Sequence, residues 1–123
     1  MPKASVLIVE DDGLIAMHLS EMLERAGYCV PDPEYSGEIA LDHLKTRPRP
    51  DVILMDIGLG GKLDGIETAR EIRKLYNIPV IFLTAFPQED RITEAGVDTG
   101  CGYILKPCLE EEIVAAIGKA LKK

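Results

Sequence analysis

The chain has 123 residues, 46% apolar and 28% charged, with a formal net charge of −7. That length fits one domain able to bury roughly two-thirds of its unfolded surface, and no apolar run approaches the roughly 18 residues of a membrane span. The acidic balance argues against nucleic-acid binding by the domain itself, and Cys29, Cys101 and Cys108 beside only two histidines suggest neither a disulfide framework nor a zinc site.

The residues Met1-Pro2-Lys3-Ala4 lead directly into Ser5–Val9, an apolar stretch too short for the core of a signal peptide. A cytoplasmic chain with reduced thiols is therefore expected. Ser5–Val9 reads as the first strand. Ile15, Leu19, Met22, Leu23 and Ala26 then recur at helical spacing, and Gly27 stops that helix. Tyr28–Val30 is a weak second strand, ended by Pro31 and Pro33. A second helix carries Ile39, Ala40, His43 and Leu44 and closes at Arg47-Pro48-Arg49-Pro50. Asp51–Asp56 and Pro79–Thr84 are continuously apolar third and fourth strands, as expected of strands covered on both faces. Between them a third helix carries Ile66, Ala69, Ile72, Arg73 and Tyr76. Gln88–Ala95 reads as a short polar helix with few apolar anchors, and Gly102–Leu105 as the fifth strand. The last helix opens with Glu110-Glu111-Glu112 and ends with Lys119, Lys122 and Lys123, charges that suit its dipole at both ends.

Strand alternating with helix in this way predicts a single α/β domain over residues 1–123: a doubly wound five-stranded parallel sheet with five helices. The proline-flanked second strand belongs at an edge, which agrees with the flavodoxin-like order 2-1-3-4-5. In such sheets the functional site lies beyond the carboxyl ends of the strands, near the switch point between strands one and three.

Those carboxyl ends carry the chemistry. Strand one runs into Glu10-Asp11-Asp12, strand three ends in Asp56, strand four in Thr84-Ala85, and strand five runs into Lys106-Pro107. Taken singly, each has an ordinary explanation: a helix cap, a turn residue, a structural hydroxyl, a surface lysine. Together they deliver carboxylates, a hydroxyl and an ammonium to one rim. Two carboxylates about 4 Å apart repel by roughly 4 kcal/mol at an effective dielectric near 20, so such a cluster calls for a cation. Oxygen-only ligands select a hard ion, and few protein ligands with room for water favour Mg²⁺ over a closed Ca²⁺ cage. The glycine-rich nucleotide-binding motifs are absent from the sequence. A carboxylate nucleophile with a metal, a lysine and a hydroxyl suits phosphoryl transfer to Asp56.

On these residues the sequence resembles the receiver domains of response regulators. The resemblance spans Val6 to Leu121 and rests on Val-Glu10-Asp11-Asp12, Leu-Met-Asp56, Asp64-Gly65, Leu-Thr84-Ala85 and Gly-Tyr103-Ile-Leu-Lys106-Pro107. It implies that Glu10 and Asp11 form an acidic pocket, with Asp11 a direct Mg²⁺ ligand, Asp56 both ligand and phosphoacceptor, and the Gly58 carbonyl a further ligand. It also implies that Thr84 and Lys106 contact the phosphoryl group, that Tyr103 is the switch aromatic, and that Lys106-Pro107 is a cis peptide. Asp12 falls one place past the pocket, where it would cap the first helix. Two features depart from the family pattern. The loop Ile57–Leu63 lacks the usual proline, is one residue longer and holds three glycines. Cys108 stands where an aromatic commonly follows Lys-Pro.

The expected function is a phosphorylation-activated switch in a two-component phosphorelay, a phosphoacceptor rather than an enzyme. Its phosphoryl donor would be a sensor histidine kinase or phosphotransfer protein, and its readout face would combine the helix Gln88–Ala95, the last strand and the last helix. The downstream effector, phosphorylation-dependent homodimerisation, and whether the unit stands alone or belongs to a longer chain are left open. A Mg²⁺-dependent aspartyl-phosphate phosphohydrolase is the alternative. Such enzymes place a second aspartate two residues after the nucleophile, where this chain has Gly58. A binding module that has lost phosphorylation is disfavoured by the intact set Asp11, Asp56, Thr84 and Lys106.

Overall fold

The wholly apolar runs become the sheet. In a computed structural model, β1 (Val6–Val9), β2 (Val52–Asp56), β3 (Val80–Thr84) and β4 (Gly102–Leu105) pair in parallel in the order β1-β2-β3-β4. The structure describes residues 4–59, 63–84, 102–105 and 110–122, with the backbone alone at Thr84, Gly102, Tyr103, Leu105 and Lys122. The expected helix Gln88–Ala95 lies outside these residues.

The expected second strand is where the structure differs. Tyr28–Val30 builds no ladder of its own; the segment touches β1 through two isolated parallel bridges, Ser5↔Cys29 and Val9↔Glu34. The Val6 N–H donates to the Cys29 carbonyl at 2.9 Å and the Glu34 N–H to the Ile8 carbonyl at 2.9 Å. Between these anchors Pro31 and Pro33 have no N–H to donate, so the ladder is interrupted. The segment nonetheless occupies the edge beside β1 where it was expected.

Four helices cover the sheet among the described residues: α1 (Gly13–Arg25), α2 (Gly37–Thr46), α3 (Gly65–Leu75) and α4 (Glu110–Lys122). Strand alternation sorts the core into two layers. Leu7, Val9, Ile53, Met55, Val80 and Phe82 pack with α2 and α3. Their neighbours Val6, Ile8, Val52, Leu54, Ile81 and Leu83 pack with α1 and α4. Helices on both faces make the sheet doubly wound. Gly27 ends α1 with φ of 101°, a left-handed conformation that suits glycine just past a helix. Each helix start is held by a specific acceptor: Asp12 caps α1, Ser36 caps α2 and Asp64 caps α3. All three caps stand at the carboxyl rim of the sheet, so the cap residues border the site.

Candidate functional site

The strand register determines what meets at the rim. Val9 is paired with Met55, so Glu10 and Asp56 are the next residues along two neighbouring strands. Glu10 continues the alternation of Val6 and Ile8, and Asp56 that of Val52 and Leu54; both belong to the α1 side of the sheet. Asp56 is paired with Leu83, and Thr84 with Leu105, the residue before Lys106. The chain ends of four strands thus converge on one edge.

Glu10, Asp11 and Asp56 each place one carboxylate oxygen within 4.8 Å of the others. Glu10 and Asp56 are buried, at 2% and 8% exposure, while Asp11 is open to solvent. Removing two carboxylates from water beside apolar strands is costly unless hydrogen bonds and a counter-charge offset it. Backbone donors supply part of that. The Asp12 N–H donates to Glu10 Oε2 at 3.2 Å, and the Gly58 N–H donates to Asp56 Oδ1 at 3.1 Å. Three clustered carboxylates, all oxygen donors and with one exposed flank, fit a hard divalent cation that keeps part of its hydration shell.

Asp12 stays out of this cluster. Its Oδ1 accepts the Leu14 and Ile15 N–H groups at 2.9 and 3.3 Å, so it caps α1 as its sequence position suggested. Gly58 is at the rim, exposed between the buried Ile57 and Leu59. Thr84 ends β3 and Tyr103 lies in β4, both placed by their backbones only. Lys106, the Lys106-Pro107 peptide and Cys108 lie outside the described residues.

Several residues that shape the site were not singled out for that role from the sequence. Asp64 and Glu67 form a reciprocal capping box at the start of α3: Glu67 N–H to Asp64 Oδ1 at 2.8 Å, and Asp64 N–H to Glu67 Oε1 at 3.0 Å. The Asp-x-x-Glu spacing was the available signal. Gly65, next to it, donates its N–H to the Ile57 carbonyl at 3.0 Å and so closes the loop that follows Asp56. The buried His43 pairs with the partly buried Glu34, Oε2 to Nδ1 2.5 Å. The Glu34 carbonyl in turn accepts the Glu10 N–H at 3.0 Å. Nothing in the local sequence marks that pair.

No helix among the described residues is long and apolar enough to cross a membrane.

Comparison with known proteins bears directly on this geometry. Residues 6–118 match the family described as the response regulator receiver domain. The transcriptional regulatory protein PdtaR of Mycobacterium tuberculosis strain H37Rv is 35% identical over 118 residues, covering 96% of this chain and 57% of that protein. The chain therefore spans a little over half the length of that curated relative. Among solved structures, the signal receiver domain of a modulated diguanylate cyclase from Desulfovibrio desulfuricans G20 has a TM-score of 0.85 at 37% identity, covering 97% of this chain and 94% of that one. The N-terminal domain of a response regulator/sensory box/GGDEF 3-domain protein from Carboxydothermus hydrogenoformans has a TM-score of 0.85 at 34% identity, covering 96% and 94%.

Proposed function

The chain belongs to the response-regulator receiver-domain family of two-component signalling, and from that premise we propose that Asp56 accepts a phosphoryl group from the phosphohistidine of a sensor kinase or phosphotransfer protein. The observation that carries this reading is the meeting of the Glu10, Asp11 and Asp56 carboxylates within 4.8 Å at the end of β2.

In the proposed step a carboxylate oxygen of Asp56 attacks phosphorus. The P–N bond to the donor imidazole breaks, and the imidazole leaves with the electron pair and then takes up a proton. The Gly58 N–H orients the Asp56 carboxylate through Oδ1. Mg²⁺, held by Glu10, Asp11, Asp56 and the Gly58 carbonyl, would supply the positive charge that lets three carboxylates and a phosphoryl group share one rim. Thr84 and Lys106 are assigned to the phosphoryl oxygens, as hydrogen-bond donor and cation. The pairing of Thr84 with Leu105, one residue before Lys106, supports that assignment. Leu14, Ile15 and Met17 are exposed at 78%, 39% and 53% at the start of α1. They offer an apolar surface beside Asp11 to the partner that brings the phosphohistidine. A phosphohydrolase is not favoured, because position 58 offers a backbone N–H and no acid.

The output is a population shift. Phosphorylation adds about −1.5 to −2 charge and three acceptor oxygens at the rim. Thr84 answers as donor, Tyr103 repacks, and the change passes to the face built by Gln88–Ala95, the last strand and the last helix.

The test is intact-mass measurement after incubation with acetyl phosphate, with and without Mg²⁺. One added phosphoryl group is expected, dependent on Mg²⁺ and lost in Asp56→Asn. An adduct of equal extent in Asp56→Asn sinks the assignment.

A further inference from the structure

The loop that follows Asp56 is pinned at three points, and one pin comes from a different part of the fold. At its start the Gly58 N–H holds Asp56 Oδ1 at 3.1 Å. At its end the Gly65 N–H holds the Ile57 carbonyl at 3.0 Å. Between them, the Leu63 N–H donates to Oε1 of Glu38 at 3.2 Å, across 25 residues of sequence. Glu38 stands in the first turn of α2, outside the acidic cluster.

This third pin matters because of what the loop carries. Gly58, which follows the phosphoacceptor by two residues, has no side chain of its own to anchor it. Ile57 and Leu59 are buried at 4% and 6% in the core layer of α2 and α3, with Gly58 exposed between them. The arrangement that presents Gly58 to the rim therefore depends on seating the loop against the α2 side. An oxygen of the Glu38 side chain accepting the Leu63 N–H joins that seat to α2 directly, and it is the reach of this acceptor that sets where the loop lies.

We propose that Glu38 is a positioning residue for the phosphoacceptor loop: through the Leu63 N–H it holds the segment that carries Gly58 in the conformation that binds the cation and admits phosphorylation. The inference rests on the proposed function and deepens it by extending the site to α2. Glu38 touches neither ion nor phosphoryl group. It acts on the fraction of molecules whose loop is competent, and apparent affinity falls in proportion to that fraction.

Two variants separate reach from charge in the full chain. Glu38→Gln keeps an acceptor at the same reach and gives up the charge. Glu38→Asp keeps the charge at the start of α2 and shortens the reach by one methylene. Mg²⁺ alone is titrated while the Gly58 and Glu10 amide signals are followed by NMR. The rate of acetyl-phosphate labelling is measured by intact mass, and thermal unfolding without Mg²⁺ is the control.

Glu38→Asp is expected to weaken Mg²⁺ binding and slow labelling by about three- to tenfold, the scale of one lost hydrogen bond. The Leu63 amide should then exchange faster with solvent. Glu38→Gln should stay within about twofold of wild type in both. A residue serving only as favourable charge at a helix N-terminus would give the opposite ranking, with the Gln variant the weaker, seen in unfolding temperature and not in Mg²⁺ affinity. That ranking, or two variants indistinguishable from wild type, overturns the inference while leaving the proposed function in place. A wild-type chain that takes up neither Mg²⁺ nor a phosphoryl group overturns the proposed function and this inference together.

Discussion

Gly65 lies against the backbone of Asp56 so closely that a β-carbon there would stand 2.2 Å from the Asp56 carbonyl oxygen and 2.7 Å from Cα of Ile57. The close approach is what lets the Gly65 N–H reach the Ile57 carbonyl and turn the chain from β2 into α3. Neither neighbour is a flexible side-chain end, so a methyl group can be accommodated only by moving the backbone of the phosphoacceptor strand.

Gly65→Ala is accordingly expected to destabilise the fold by about 1–3 kcal/mol, the usual cost of forcing extra volume into a packed site. It should also slow labelling of Asp56. Gly118→Ala is the matched control. Nothing lies within 4 Å of a β-carbon at that position inside α4, so it should stabilise by about 0.5–1 kcal/mol. Urea denaturation of the two variants reads both signs. Equal, small effects would mean that Gly65 is not sterically required.

The carboxylate cluster makes a prediction about charge. Without divalent cation, Glu10, Asp11 and Asp56 repel one another. Asp56→Asn removes one charge and keeps an acceptor for the Gly58 N–H. In EDTA it should be more stable than wild type by about 1 kcal/mol. Saturating Mg²⁺ should reverse the order, since a ligand at about a hundred times its Kd adds about 2.7 kcal/mol to the state that binds it. Denaturation of both proteins in EDTA and in Mg²⁺ provides the comparison. Asp56→Asn less stable under both conditions would contradict the clustering of charge.

The Glu34–His43 pair joins the sheet edge to α2 at side-chain exposures of 13% and 3%. His43→Ala leaves the Glu34 carboxylate in place without that imidazole and should cost about 2 kcal/mol. His18→Ala, at an exposed position on α1, should stay within about 0.5 kcal/mol of wild type. Thermal unfolding of the two variants tests the difference. Since the Glu34 carbonyl receives the Glu10 N–H, the His43 variant should also perturb the Glu10 amide resonance; an unchanged Glu10 signal would show that the edge does not steady the pocket.

Much of the site was legible because it depends on strand ends. Val52–Met55 and Val80–Leu83 could be read as covered on both faces from unbroken apolarity, and they are buried throughout. Once Val6–Val9 lies in parallel beside Val52–Asp56, with Val9 opposite Met55, Glu10 and Asp56 meet. The cap role of Asp12 was implied by the resemblance, which puts it one place past the acidic pocket. What could not be read depends on contacts between segments far apart in sequence. Pro31 and Pro33 signalled an edge, yet nothing local told that the segment would keep only the bridges at Cys29 and Glu34. Asp64-Gly65 was visible as a motif, whereas the reason for the glycine, the Asp56 carbonyl beside it, exists only after β2 and α3 pack. The same holds for Gly37, where a β-carbon would meet Thr68 Oγ1 of the neighbouring helix at 2.0 Å. Glu38 was not singled out in the sequence, and its hold on Leu63 needs both helices in place.

The account stands on Asp56 as the residue that carries the phosphoryl group, and the most direct measurement locates that group. The chain is labelled with acetyl phosphate and Mg²⁺, reduced with borohydride, digested and sequenced by tandem mass spectrometry. Reduction converts an aspartyl phosphate to homoserine, so the peptide spanning Val52–Ile57 should carry homoserine at position 56 alone. Hydroxylamine given before reduction should abolish it, as expected of an acyl phosphate. Homoserine at Asp11 or another acid in place of position 56, or a phosphoryl group stable to hydroxylamine on a hydroxyl side chain, would contradict the account.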